Sequence, residues 1–276
     1  MPLFDFTFKN LEKTLESNHL LGWFYLTNGA YNICINGKRL LSYNPDIWTA
    51  DAKIVAEQYD NGFSPEIPDY YVARLHEYVL SFALPYAWQN VSDLIHACLL
   101  NPKVYDLARA QWAEKLQRHD QAMRYALFGG SFGYMGMPVF RLWRYADEIY
   151  LYWNGNETDG EGVPYFQHRG EAVFVMAEAD FIREVEDFHQ RLMTVMAERI
   201  YEVQTRYPDA YRQMKVDNQT IWDRHQYYQS SLNRAMRHQR LFPTDFEQKN
   251  LAAGIDLRKM LAENDYPIEI IRVNHF

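Results

Sequence analysis

Apolar residues recur at steps of three and four through residues 179–206, at Phe181, Val185, Phe188, Leu192, Val195 or Met196, and Val203. A stripe of this period predicts an amphipathic helix, the longest uninterrupted periodic segment of the chain. Asp180 is placed to cap it and Pro208 to stop it, with Asp187/Arg191 and Glu202/Arg206 as i, i+4 pairs on its exposed side. The segment reads as scaffold. A second helix is predicted over about 217–239, aligning Ile221, His225, Tyr228, Leu232 and Met236. A third begins at Thr244, where Thr244 and Glu247 have capping-box spacing. Upstream, Asp69 is read as the cap of a helix carrying Val72, Leu75, Val79 and Phe82, which Pro85 ends or kinks. Shorter helices are predicted at 10–18 and from Ser92, Pro102 and Asp120.

Strand-like alternation occupies the gaps between these segments. Phe4, Phe6 and Phe8 alternate with Asp5 and Thr7. Asn28-Gly29 and Asn36-Gly37 separate three alternating runs, and each pair suits the positive φ angles of a type I′ turn. A three-stranded meander over 22–43 is therefore predicted, then a second hairpin around Ala146-Asp147, a strand at 171–177 and a late strand in 267–273. The fold class is α+β, with the meander and second hairpin packed against several helices and a long-helix C-terminal region. No repeat or low-complexity linker divides the chain, so 1–276 reads as one domain, with a soft division near 178 between a mixed part and a helical part.

Length and composition bound the function. A chain of 276 residues, 48% hydrophobic, buries roughly three quarters of its unfolded surface. Its 28 basic against 36 acidic residues leave a net charge of −8, which removes the general electrostatic reason to bind nucleic acid and favours basic protein partners. Cys34 and Cys98 are too few for a disulfide framework, and no cysteine–histidine quartet suits zinc. The N-terminus lacks signal-peptide character, and no apolar run reaches the ~18 residues of a membrane span, so a cytoplasmic protein without cofactor is expected.

Local motifs are weak. Gly130, Gly133 and Gly136 resemble a phosphate loop, but a helix enters and a strand leaves, the reverse of the required order. Asn154, Asn156, Thr158, Asp159 and Glu161 offer alternating oxygens, yet the positions where a calcium loop needs glycine and glutamate hold Asp159 and Tyr165. His76-Glu77 begins like a zinc-protease helix, with Leu80 where the second ligand belongs. His189 and His225 lie near the stripes of the two long helices. With Glu186 or Asp223 they would make a catalytic group, against the plainer reading of packed, hydrogen-bonded core histidines.

The charge map carries more. Asp46, Asp51, Glu57, Asp60, Glu66 and Asp69 face only Lys53 within their stretch, and Asp147, Glu148, Glu157, Asp159 and Glu161 face no base. Both stretches hold large aromatics: Trp48, Tyr59 and Phe63 in the first, Tyr150, Tyr152 and Trp153 in the second. Acidic rims around aromatic anchors suit docking on a basic protein. Solvated loops that maintain solubility are the plain alternative.

Two stretches carry a family resemblance. Residues 21–43, opening W-F-Y-L-T-N-G-A-Y, and 188–200, with an R-L-x-x-x-M-A-x-R core, resemble an uncharacterised bacterial domain family of about this length. The chain departs from it at Asn28, where aspartate is usual, and at Asn32, where an aromatic is usual. The resemblance implies no catalytic residues. Small acidic proteins of this kind look like immunity proteins encoded beside bacterial toxins, an analogy that implies a toxin effector domain as partner. The leading expectation is a non-enzymatic immunity protein acting through its acidic, aromatic-bearing loops. The alternatives are an enzyme, a hydrolase or one that reverses a toxin modification, with a cleft beside the long helices, and a structural adaptor. The oligomeric state is left open.

Overall fold

Two sheets share one long helix. The computed structural model describes residues 1–17, 22–47, 69–80, 90–115, 139–214, 216–237 and 246–273. The first sheet opens with β1 (Phe4–Phe8), followed by the short helices α1 (Leu11–Ser17) and α2 (Trp23–Leu26). β2 (Asn28–Ile35) is its central strand. It pairs antiparallel with β1, with the two-residue β3 (Lys38–Arg39) and with β4 (Asp69–Tyr71).

The two Asn-Gly pairs do different things. Asn36 and Gly37 take φ angles of 49° and 77°, as a type I′ hairpin turn requires. Asn28 and Gly29 lie inside β2, and the run before them, Trp23–Leu26, is helical. The predicted first strand of the meander is thus replaced by β1. Gly29 is there because a Cβ would stand 2.1 Å from the Thr7 carbonyl oxygen of the paired strand. Glycine signals both backbone freedom and close approach, and here the second applies.

Helix α3 (Val72–Tyr78) starts after Tyr71, so Asp69 sits in β4 and is not the cap. Helices α4 (Asp93–Leu99) and α5 (Pro102–Lys115) begin where Ser92 and Pro102 predicted, and the Ser92 hydroxyl accepts from the Ile95 N–H. The second sheet runs β5 (Val139–Tyr145), β6 (Glu148–Asn154) and β7 (Glu171–Ala177), all antiparallel, with Ala146 at φ 54° in the predicted hairpin turn. Helix α6 (Glu178–Arg206) follows at once, its N-cap being Ala177 rather than Asp180. Pro208 opens the short α7 (Pro208–Gln213), and α8 (Asn218–Arg237) is capped by Asp217, whose carboxylate accepts from the Thr220 N–H. α9 (Phe246–Ala252) and α10 (Leu257–Glu263) lead to β8 (Glu269–Arg272), which joins β7 in parallel. Phe82, Pro85, Asp120, Thr244 and the glycines 130, 133 and 136 lie outside the described residues.

The second sheet is buried on both faces. One face presents Phe140, Leu142, Ile149, Leu151, Trp153, Phe174 and Met176 to the core that also holds α6 and the first sheet. The other presents Trp143, Tyr150, Tyr152, Val173 and Val175 to α4, α5 and α10. Strands covered on both sides read as continuous apolar runs, which explains the I-Y-L-Y-W of β6. The α6 stripe is buried as predicted at Phe181, Val185, Phe188, Leu192, Met196 and Val203.

A polar row on α6 also fastens it to β1. Glu184 accepts from the Leu3 N–H at 2.8 Å, Arg191 donates to the Phe4 carbonyl at 2.7 Å, and Arg199 donates to the Lys9 carbonyl at 2.9 Å. Spacings of seven and eight residues keep the three on one side of the helix. An open strand edge is an association hazard, and this row covers it.

The glycines of the two Asn-Gly pairs separate in mutagenesis. Gly29→Ala forces the β1 and β2 backbones apart and should cost at least the 1–3 kcal/mol typical of overpacking. Gly37→Ala, in open space at positive φ, should cost about 1 kcal/mol. Urea denaturation of both variants checks the order.

Candidate functional site

Three helices deliver three imidazoles to one line. His76 on α3 meets His189 on α6, Nε2 to Nδ1, at 2.9 Å, and His189 Nε2 meets His225 Nδ1 on α8 at 2.9 Å. His76 and His189 are buried and His225 is half-buried. Tyr228 stacks on His189 with centroids 4.0 Å apart and planes 10° apart, and Phe188 lies edge-on to His76 at 5.6 Å. Arg224 beside the chain is paired with Glu77 at 2.9 Å and lies over the Trp23 ring.

The hydrogen-bond bookkeeping assigns a polarity. Each N···N contact needs one proton and one lone pair. Nδ1 of His76 is buried without a partner. A buried unpaired N–H is rarer than an unpaired acceptor, so the protons run from His76 Nε2 to His189 and from His189 Nε2 to His225. Burial holds His76 well below the usual histidine range and His189 down at about 4, each reinforced by the neighbouring imidazoles.

The expected pair His189–His225 therefore forms, but without Glu186 or Asp223. Both carboxylates are exposed, and Asp223 accepts from Gln219 instead. The third member is His76, which stands on the apolar side of α3 with Val72 and Val79; that placement is the signal for it in the sequence. With both His189 nitrogens occupied and no exposed surface on its ring, this residue cannot contact a substrate.

A fourth histidine, not singled out in the sequence reading, is also partnered. His96 on α4 accepts from the Trp143 indole N–H at 3.1 Å and stacks on Tyr145 at 3.9 Å. Indole only donates, so neutral His96 carries its proton on Nε2. Burial lowers its pKa, against the opposing pull of Asp93 and Glu148.

The acidic stretches are rearranged by the sheet. In the first, Asp46 is exposed in the 3₁₀ turn Pro45–Ile47 and Asp69 pairs with Ala30 in the sheet; Trp48, Asp51, Glu57, Tyr59, Asp60, Phe63 and Glu66 lie outside the described residues. In the second, β6 occupies the middle. Tyr150, Tyr152 and Trp153 are 8%, 1% and 4% exposed, so they are core residues and not anchors open to a partner. Tyr152 and Tyr105 both pack against the buried Arg141 guanidinium, 4.4 Å and 3.9 Å from it. Asp147 and Glu148 lie at one end of β6 and Glu157, Asp159 and Glu161 beyond the other, about 20 Å apart for a strand of this length. Glu148 is committed to Arg272 and to the Tyr150 hydroxyl, while the Asp147 side chain is 95% exposed.

Loop 155–170 spends its side-chain oxygens on its own backbone. Asp159 accepts from the Glu161 and Val163 N–H groups, Asn154 from Asn156, and Asn156 from Gly170. Such turns explain the alternating polar residues without a cation. The same loop docks on 42–44: Asn44 N–H donates to the Tyr165 carbonyl at 2.8 Å, Gln167 N–H to the Ser42 carbonyl at 2.9 Å, and Tyr43 stacks on Phe166.

Comparison with known proteins supplies the family. A family profile described as "Family of unknown function (DUF5984)" matches residues 3–254. The chain belongs to that family. No curated protein and no solved structure matches it. Among the described residues, no helix is long and apolar enough to cross a membrane.

Two outcomes follow from the buried groups. His76 and His189 bind protons less readily folded than unfolded, so stability is full above the unfolded value of ~6.5 and is lost as pH falls, for His189 down to about 4. Urea titrations between pH 7 and 4.5 should show a loss approaching ~1.4 kcal/mol per pH unit for each histidine, reduced in His189→Gln. Cys34 and Cys98 are buried, and burial raises their thiols to about 11 and about 12. Mass spectrometry after iodoacetamide should find both unmodified in the native protein and alkylated in urea.

Proposed function

We propose that this protein is a non-enzymatic binding protein that docks a basic protein partner on its acidic loops. The observation that carries the reading is the backbone junction between 42–44 and 164–167, which puts exposed Asp46 beside the loop bearing Glu157, Asp159 and Glu161. Two stretches far apart in sequence thereby contribute acids beside the same loop, where the neighbouring bases are Arg169 within 155–170 and Lys38 near His168. Like charges gathered this way raise the encounter rate with a cationic surface and select against acidic ones.

By the analogy with immunity proteins, the partner is a toxin effector domain whose basic active-site cleft the acidic face covers. The enzymatic alternative gains no support from the imidazole chain, since its central ring is enclosed and neither expected carboxylate reaches it.

The test is charge reversal at Asp46, Glu157 and Glu161. Asp159 is spared because its carboxylate holds the Glu161 and Val163 backbone N–H groups. The triple lysine variant should associate with the toxin encoded by the adjoining gene at least ~10-fold more slowly at low salt, with thermal unfolding unchanged. Equal association rates for native and variant protein, measured by surface plasmon resonance, would sink the acidic-face reading.

A further inference from the structure

Helix α8 roofs a fully buried imidazole. Tyr228 covers one face of His189 and His225 occupies its Nε2, both from α8, while His76 on α3 occupies its Nδ1. We propose that this chain is a proton-sensitive latch: His189 takes up a proton only when α8 lifts from α6, so mild acid releases the helix.

The docked chain has no place for an extra proton. An imidazolium at His189 would donate from both nitrogens. His76 would then accept at Nε2 and carry its own proton on Nδ1, which is buried with no acceptor. Among the described residues, the added charge would also lack a counter-ion. From α3, Glu77 is committed to Arg224 and lies near Arg74. From α6, Glu186 is exposed and acts on the Tyr228 side of the chain. From α8, Arg224 is the charge that acts on His76, and it repels a proton. α2 offers the Trp23 indole, and β1 offers Phe4 and Phe6 packed on Phe188. Lifting α8 opens His189 to water, frees its Nε2 from His225 and takes the Arg224 charge away from the chain.

α8 is also the element suited to move. Tyr228 is its only fully buried apolar side chain among those described, whereas Ile221 and Leu232 are half-buried and Trp222 is 57% exposed. α6, by contrast, buries a continuous stripe and three polar contacts to β1. Segments with few buried apolar contacts open at lower free energy than the core.

Amide hydrogen exchange across pH 7 to 5 tests the latch, because carboxylates titrate mostly below this window. After correction for intrinsic rates, α8 protection should fall by up to about tenfold per pH unit below pH 6.5 while staying well below that of β6, which marks the loss as local opening and not global unfolding. His189→Gln, whose amide both donates and accepts but does not titrate, should flatten the α8 response. Should that variant fold poorly, exchange of the His189 C2 proton in the native protein gives the same reading, since its titration must track α8 opening. Flat α8 protection in the native protein, an unchanged slope in His189→Gln, or His189 titrating while α8 stays protected would each overturn the proposal.

Discussion

The edge of β1 and the helix that covers it hold this fold together. α6 places Phe188 against Phe4 and Phe6 and, on the same approach, uses Glu184, Arg191 and Arg199 to occupy backbone groups that flank β1. Apolar burial supplies most of the free energy of such a contact, and the polar row fixes its register, because each donor or acceptor meets a particular backbone group. The residue pattern that carries the family resemblance, Arg191 to Arg199, includes two of these three fasteners. Burial holds the Arg199 guanidinium down at about 10, a cost that its contacts with the Lys9 carbonyl and the Phe8 ring offset only in part.

From that contact the remaining layers follow. α6 begins directly after β7, so docking it on β1 draws the second sheet under the first, and one continuous core runs from Leu3 to Val273. The far face of the second sheet is closed by α4, α5 and α10, and β6 is enclosed on both sides. The same packing turns the polar residues inward in a selective way. His189 is carried into the core on the stripe of α6, and its two nitrogens are satisfied by two further imidazoles from the neighbouring helices. The acidic residues of the second stretch are left at the ends of β6 and in loop 155–170.

Much of the architecture was legible in the chain. The α6 stripe, the Asn36-Gly37 turn, the Ala146-Asp147 hairpin, the helix start at Ser92 and the late strand β8 rest on local period and turn chemistry, and each forms where that chemistry indicates. The misreadings have local causes too. Asn28-Gly29 has the composition of a turn but answers a steric need set by Thr7, a residue on another strand. Asp69 has the chemistry of a cap but its backbone is claimed by Ala30. Tyr150, Tyr152 and Trp153 are flanked by acids in sequence, yet a strand buried on both faces leaves none of them outside.

By itself, then, the sequence determined the α+β class, most of the helices and strands, the acidic balance and the absence of a recognisable catalytic motif, because period, capping and charge are properties of neighbouring residues. Only the tertiary structure decided which groups meet. His76, His189 and His225 are separated by 113 and 36 residues, and Asn44 and Tyr165 by a comparable stretch, so their contacts depend on how α6 seats against two sheets at once. No local pattern encodes that seating; it arises when the apolar stripe and the β1 edge are buried together.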